Sequence, residues 1–251
     1  MSDTTLVIGD AHVDPSQVKS KHGLRRFEWA AKYIRDVKPD RVVIIGDWFT
    51  LDSISSHNDG RFLTKEGLRY QKDIDCGMEA LQLIADANGK SPIIFCEGNH
   101  EERAARFIEG VPELQGAIVT PYQAVQDDID VWVPYKNYWT HKGVSFTHVP
   151  INEGGKPVSG KYAVLKALDI CDNSVVFGHT HKLGNACVHR HGSSHLQQSL
   201  NVGCFFEHID DYAKGSVTSY WRGLVLLNHY DYGRVDYETI SLGRLRREYG
   251  A

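Results

Sequence analysis

Five short apolar runs in this chain stop abruptly, and each stops at residues able to hold a metal ion. Residues 5–8 end at Gly9-Asp10, with His12 close behind. Residues 41–45 end at Gly46-Asp47, residues 92–96 at Gly98-Asn99-His100, residues 144–147 at His148, and residues 174–177 at Gly178-His179, followed by His181. Short apolar runs bounded by turn residues read as buried strands. In α/β sheets ligands bind beyond the carboxyl ends of the strands, so five such endings can converge on one place. The glycines before four of them let the backbone turn sharply or approach closely.

Each ending alone has a simpler explanation. Gly-Asp after a strand is ordinarily a turn, and a lone strand-end His is ordinarily a hydrogen-bonded structural residue. Asn99 alone reads as a turn residue, and His179-Thr180-His181 as two unrelated surface histidines. All of them in order would need several independent coincidences. The chain has 13 His, and their placement carries more information than their number.

The rest of the sequence supplies a frame for these endings. Leu24, Phe27, Ala31, Ile34 and Val37 recur at helical spacing, with Pro39 as a stop. A polar loop over 50–60 precedes a helix expected over 65–87, which ends at Asn88-Gly89. Residues 101–108 read as helical, as does the stretch marked by Tyr162, Leu165 and Leu168. Residues 131–135 and 144–147 read as strands paired in a hairpin. Beyond Leu183 strands dominate, including 224–230 and 234–240 around the Asp231-Tyr232-Gly233 turn. This order implies one α/β domain over residues 1–251, with two packed sheets and helices outside.

Composition excludes several classes. With 41% hydrophobic and 24% charged residues the chain is an ordinary globular sequence, and its net charge of -4 gives no support to tight, non-specific duplex binding. The five Cys are scattered without a C-x-x-C pair, so reduced thiols in a cytoplasmic protein are expected rather than a disulfide framework. Neither a secretory leader nor a membrane-spanning run is evident.

The ordered set Gly9-Asp10-Ala11-His12, Gly46-Asp47, Gly98-Asn99-His100-Glu101, His148 and Gly178-His179-Thr180-His181 resembles the calcineurin-like metallophosphoesterase superfamily. Asn201-Val202-Gly203-Cys204 resembles the Asn-x-Gly-Ser motif that often follows, and the segments between motifs are similar to phage or prophage members. The resemblance implies a four-layer αββα sandwich of two mixed β-sheets flanked by helices. It implies a first divalent ion held by Asp10, His12 and His181, a second held by Asn99, His148 and His179, and Asp47 bridging both. A metal-bridging hydroxide would attack the phosphate, and His100 would protonate the leaving oxygen as general acid. Such carboxylate, amide and imidazole donors suit Mn²⁺ foremost, with Fe²⁺, Zn²⁺ and Mg²⁺ as other candidates.

Departures from the family pattern narrow the class. The second motif continues Asp47-Trp48-Phe49-Thr50-Leu51-Asp52 and lacks the Asp-Arg-Gly of Ser/Thr protein phosphatases, whose Arg contacts phosphate. A phosphodiesterase acting on a nucleotide or nucleic-acid end is therefore expected. The alternatives are a phosphomonoesterase and a non-catalytic metal-binding interaction scaffold; scaffolds of this fold tend to lack the acid His, and His100 is present. The location would be the cytoplasm, the host's if the chain is phage-encoded. Lys19, Lys21, His22, Arg25, Arg26, Arg103 and Lys156 are candidate phosphate contacts at the rim. Glu101 would either orient an imidazole or start the next helix, Trp48 and Phe49 would fill core, and His57 lies in a loop that could cover the site. His189 and His191 read as an exposed pair.

Overall fold

The computed structural model describes residues 3–18, 23–56, 59–189, 196–207 and 219–250. Its first sheet contains β1 (Thr4–Ile8), β2 (Arg41–Ile44), β3 (Ile93–Cys96), β4 (Val131–Val133), β10 (Gly223–His229) and β11 (Val235–Ser241), in the order β11-β10-β1-β2-β3-β4. Its second contains β5 (Trp139–His141), β6 (Val144–Phe146), β7 (Ser174–Phe177), β8 (Leu183–His189) and β9 (Leu196–Val202), in the order β5-β6-β7-β9-β8. Both sheets are mixed. β1 to β4 run parallel, with β10 and β11 added antiparallel, while β6, β7 and β9 run parallel between antiparallel β5 and β8.

Alternation along the central strands makes the layers. Leu6, Ile8, Val42 and Ile44 pack with Phe27, Ile34, Ile74 and Leu81 from α2 (Arg25–Val37) and α4 (Tyr70–Asn88). Val7, Val43 and Ile94 point the other way and meet Phe146, Val176 and Leu200 of the second sheet. Val175 and Phe177 turn outward against Ala163 and Ala167 of α7 (Ala163–Ile170). Three apolar layers thus hold four layers of structure, the two-sheet sandwich with helices on both faces. Strands covered on both faces need apolar residues at every position, which is why β2, β3 and β7 read as unbroken runs.

Two expectations are corrected. Residues 131–135 and 144–147 do not form a hairpin: β4 pairs parallel with β3, and β6 belongs to the other sheet. The hairpin there joins β5 to β6 through Lys142-Gly143, at φ +46° and +77°, positive values that suit a tight two-residue turn. The helix expected from residue 65 begins at Tyr70, because Gly67 at φ +78° separates it from the short α3 (Phe62–Lys65). The other short helices are α1 (Pro15–Val18), α5 (Glu102–Gly110) and α6 (Pro121–Val125). A C-terminal helix, α8 (Leu242–Tyr249), lies against α2; its first turn is capped by Ser241, which accepts from the Arg244 N–H. Among the described residues no helix is long and apolar enough to cross a membrane.

Candidate active site

The parallel strands of both sheets end on the same edge. Asp10 follows β1, Asp47 follows β2, and Asn99 and His100 follow β3; His148 follows β6, and His179 and His181 follow β7. The chain reverses so sharply here that His12, Asp47, His179 and His181 all have positive φ, between +41° and +65°. Non-glycine residues held in that region store strain and cluster at functional sites. Two glycines are fixed by contact instead: a Cβ on Gly98 would overlap Asp47, and one on Gly178 would overlap Asp10 Oδ1.

Each aspartate divides its two oxygens between tasks. Oδ1 of Asp10 accepts from the His179 N–H (3.1 Å), and Oδ1 of Asp47 accepts from the His100 N–H (2.9 Å). The Oδ2 atoms face inward. Asp10 Oδ2 is 3.1 Å from Nε2 of His181, which is 3.2 Å from Nε2 of His12. Asp47 Oδ2 lies 3.9 Å from Nε2 of His12, 3.9 Å from Nε2 of His100 and 3.4 Å from Nε2 of His148. On the far side, Oδ1 of Asn99 sits 3.0 Å from Nε2 of His148 and 2.8 Å from Nδ1 of His179. The seven residues therefore form two adjoining clusters, Asp10-His12-His181 and Asp47-His148-His179 with Asn99 beside it, and His12, Asp47 and His100 make a third metal-capable group between them.

The chemistry of these donors fits two divalent cations. Asp10 Oδ2 is buried and accepts no hydrogen bond. Nδ1–H of His148 donates to the Ile45 carbonyl (2.9 Å), which in the neutral ring leaves the Nε2 lone pair facing Asn99 Oδ1 and Asp47 Oδ2. Acceptors aimed at acceptors repel unless a positive charge lies between them. Electrostatics show the same demand. Burial pushes Asp47 up, but the imidazoles of His148, His100 and His12 hold it well below the usual carboxylate range. Burial pulls His148 down, yet Asp47, Asp10 and Glu101 raise it to about 9. In the chain by itself a proton on His148 stands where a cation would.

His100 is enclosed differently. Its Nδ1–H donates to the Thr50 carbonyl (2.8 Å), and its Nε2 accepts from Nη2 of Arg103 (3.0 Å). Arg103 is itself fixed, with Nη1 donating to the Thr50 carbonyl (2.8 Å) and Asp52 Oδ1 (3.0 Å). Burial lowers His100 to about 4, with Arg103 adding to the effect and Asp47 opposing it. Glu101 orients no imidazole. It precedes α5, and its carboxylate accepts N–H bonds from Asp47 (2.9 Å), Phe49 (2.9 Å) and Gly98 (2.8 Å). It clamps the second and third motifs together.

The remaining candidates separate. Arg103 reaches the site. Arg26 does not lie on the rim: it is buried and donates to the Ala11 (3.1 Å) and Gly23 (3.1 Å) carbonyls, bracing the first motif from behind. Lys156 sits in the exposed turn after Asn152. Lys19, Lys21, His22, His57 and His191 lie outside the described residues, and His189 is exposed on β8. Trp48 and Phe49 are fully buried core. Sequence reasoning missed Phe206 and Tyr220, whose rings meet His181 edge-on at 5.0 and 4.7 Å. The Phe205-Phe206 pair just past the Asn201 motif was the available signal.

Comparison with known proteins gives a consistent picture. The family model "Calcineurin-like phosphoesterase" matches residues 4–183. The Gene 54 protein of Mycobacterium phage L5 is 28% identical over 248 residues, covering 90% of this chain and 89% of its own. Among solved structures, a dimetal phosphatase from Danio rerio is similar at TM-score 0.45 and 12% identity, over 95% of this chain and 98% of that one. Vps29 from Chaetomium thermophilum is similar at TM-score 0.40 and 12% identity, over 94% of this chain and 96% of that one.

Proposed function

The chain belongs to the calcineurin-like phosphoesterase family and is a metal-dependent phosphoester hydrolase; on that premise we propose that it cleaves a phosphodiester, in a nucleotide or at a nucleic-acid end, in the cytoplasm of its host. Asp10, His12 and His181 would hold one ion, Asn99, His148 and His179 the other, and Asp47 would serve both. The observation that carries this reading is the convergence of carboxylate, amide and imidazole ligand atoms around Asp47, beside a buried Asp10 Oδ2 that accepts no hydrogen bond. Mixed oxygen and imidazole donors favour Mn²⁺ in vitro. When bound, the two ions supply Lewis-acid charge to the phosphate and acidify the attacking water.

The chain's residues do the rest. Asp47 and Asp10 keep their ligand oxygens aimed because their other oxygens are tied to backbone N–H groups. His100 would protonate the leaving oxygen. For that its Nε2 must carry a proton, and the Arg103 guanidinium now donating there must turn to a better acceptor; the arriving phosphate is one. Because Asp52 and the Thr50 carbonyl already bind Arg103, its charge is partly answered, and a diester monoanion suits it better than a monoester dianion. The second reading, a phosphomonoesterase, is favoured by the same Arg103, which brings into the site a cation that the second motif lacks.

Metal analysis after loading with Mn²⁺ should find two ions per chain, and kcat/KM should be higher for bis-p-nitrophenyl phosphate than for p-nitrophenyl phosphate. The reverse preference would establish the monoesterase. Turnover of neither substrate, nor of cyclic nucleotides or single-stranded DNA, with both metals bound would overturn the catalytic reading in favour of a scaffold.

A further inference from the structure

An acid that protonates a leaving oxygen must face the leaving group, so the leaving group lies on the His100 side of the centre. On that side a cleft of about 340 Å³ opens beside α5, lined among the described residues by Ile54, Lys65, Arg103, Arg106, Phe107 and Val111. Arg103 belongs to both places: it donates to His100 Nε2 and forms the inner wall of the cleft. The volume falls within the range of small-ligand pockets, about 300–1,000 Å³.

The lining combines cations with exposed apolar surface. Arg103 and Arg106 stand one turn apart on the same face of α5, with Lys65 among the lining of the same cleft. Phe107, Val111 and Ile54 line it too, and Phe107 and Val111 expose apolar surface. Cations side by side with an exposed aromatic ring match a nucleotide, which pairs a phosphate with a base that stacks on an aromatic face. The cations have partners, Arg106 with Glu102 (3.0 Å) and, through Nη2, with the Asn99 carbonyl (3.3 Å), and Lys65 with Asp59 (2.8 Å). Both are solvent-exposed pairs of a kind that contributes little to stability, so an incoming phosphate can replace the carboxylates.

We propose that this cleft is the leaving-group subsite and takes a nucleotide carrying its own phosphate, which makes the substrate a single-stranded oligonucleotide end rather than an isolated diester. The proposal rests on the phosphodiesterase reading above. Arg103 serves the reacting group, Arg106 and Lys65 the next phosphate, and Phe107 the base.

The test compares the dinucleotide TpT with pTpT and TpTp on the metal-loaded enzyme. Whichever carries its extra phosphate on the leaving side should be cleaved about 10-fold better in kcat/KM, the worth of one charge-assisted contact. In Arg106→Gln and Lys65→Gln that ratio should fall toward 1. Equal rates on all three dinucleotides, or a ratio untouched by both substitutions, would overturn the subsite. A second readout is independent of turnover: calorimetric binding of thymidine 3′,5′-bisphosphate, which should weaken in Arg106→Gln. If the protein hydrolyses no diester the phosphodiesterase reading fails, and the bisphosphate still decides the cleft, since unchanged affinity in Arg106→Gln removes it.

Discussion

The two ends of the sandwich meet their acid groups with different partners. At the amino end of β1, Asp3 is met by Arg41, by Nζ of Lys142 (2.8 Å) and by Nε2 of His141 (2.9 Å), while Thr5 Oγ1 beside it takes a bond from Arg41 (3.0 Å). At the carboxyl end, Asp10 and Asp47 face imidazole nitrogens and an amide oxygen, and Asp10 Oδ2 accepts nothing. Burial raises Asp3, but Lys142, His141 and Arg41 outweigh it and hold the carboxyl well below the usual range. One end closes its electrostatics with the chain's own cations. The other gathers its carboxylates, imidazoles and an amide oxygen into ligand clusters, with Asp10 Oδ2 accepting no hydrogen bond, and that contrast marks it as the metal end.

The largest break in this contrast comes from Asp47→Asn. It should lower kcat/KM by ~10²-fold or more, since even residues behind a metal ligand are typically worth ~10–100-fold, and metal analysis should show both ions weakened. Chelation should destabilise the wild type by about 3–4 kcal/mol when metal had been present at 100–1,000 times its Kd, with a much smaller effect in Asp47→Asn. One tight ion, unaffected by the substitution, would remove the bridging role.

Next is His100→Asn, with both metals retained. Loss of a proton donor is typically worth ~10²–10⁴-fold where the proton is needed. It should appear on a sugar diester, whose alkoxide leaves poorly, and be much smaller on a p-nitrophenyl ester. Equal losses in kcat/KM would mean that His100 positions phosphate instead.

At the closed end, Asp3→Asn should cost about 1–2 kcal/mol of stability in urea denaturation, by the same amount with and without metal. The smallest effect is its pH dependence. A depressed folded pKa contributes stability that is full above the unfolded value of about 3.9 and is lost as pH falls toward the folded one. The wild type should therefore lose stability more steeply than Asp3→Asn between about pH 5 and 3. Parallel slopes would show that Asp3 is not the group responsible.

What the sequence made legible was whatever is local. Strand runs, their glycine endings and the metal-capable residues behind them can be read because burial and turning act on neighbours. The pairing of β4 was not legible: an apolar run of three residues says nothing of which sheet it will edge. α8 was hidden because two turns of Leu-Gly-Arg-Leu-Arg-Arg-Glu-Tyr carry little periodicity. The roles of Glu101 and Arg103 depend on partners far away in the chain, Glu101 gripping Asp47 and Phe49, and Arg103 gripping Asp52. No spacing rule connects such pairs, so the residue types were visible and their tasks were not.

The bond from the His179 N–H to Asp10 joins residues 169 apart in the chain and one sheet to the other. Contacts of such long sequence separation form late, because loop closure must precede them. The centre cannot therefore be half assembled: until the second sheet docks, Asp10 has no His179 or His181 opposite it. Metal then binds a nearly finished molecule. It would slow unfolding while leaving the refolding rate almost unchanged, the behaviour of interactions absent from the transition state.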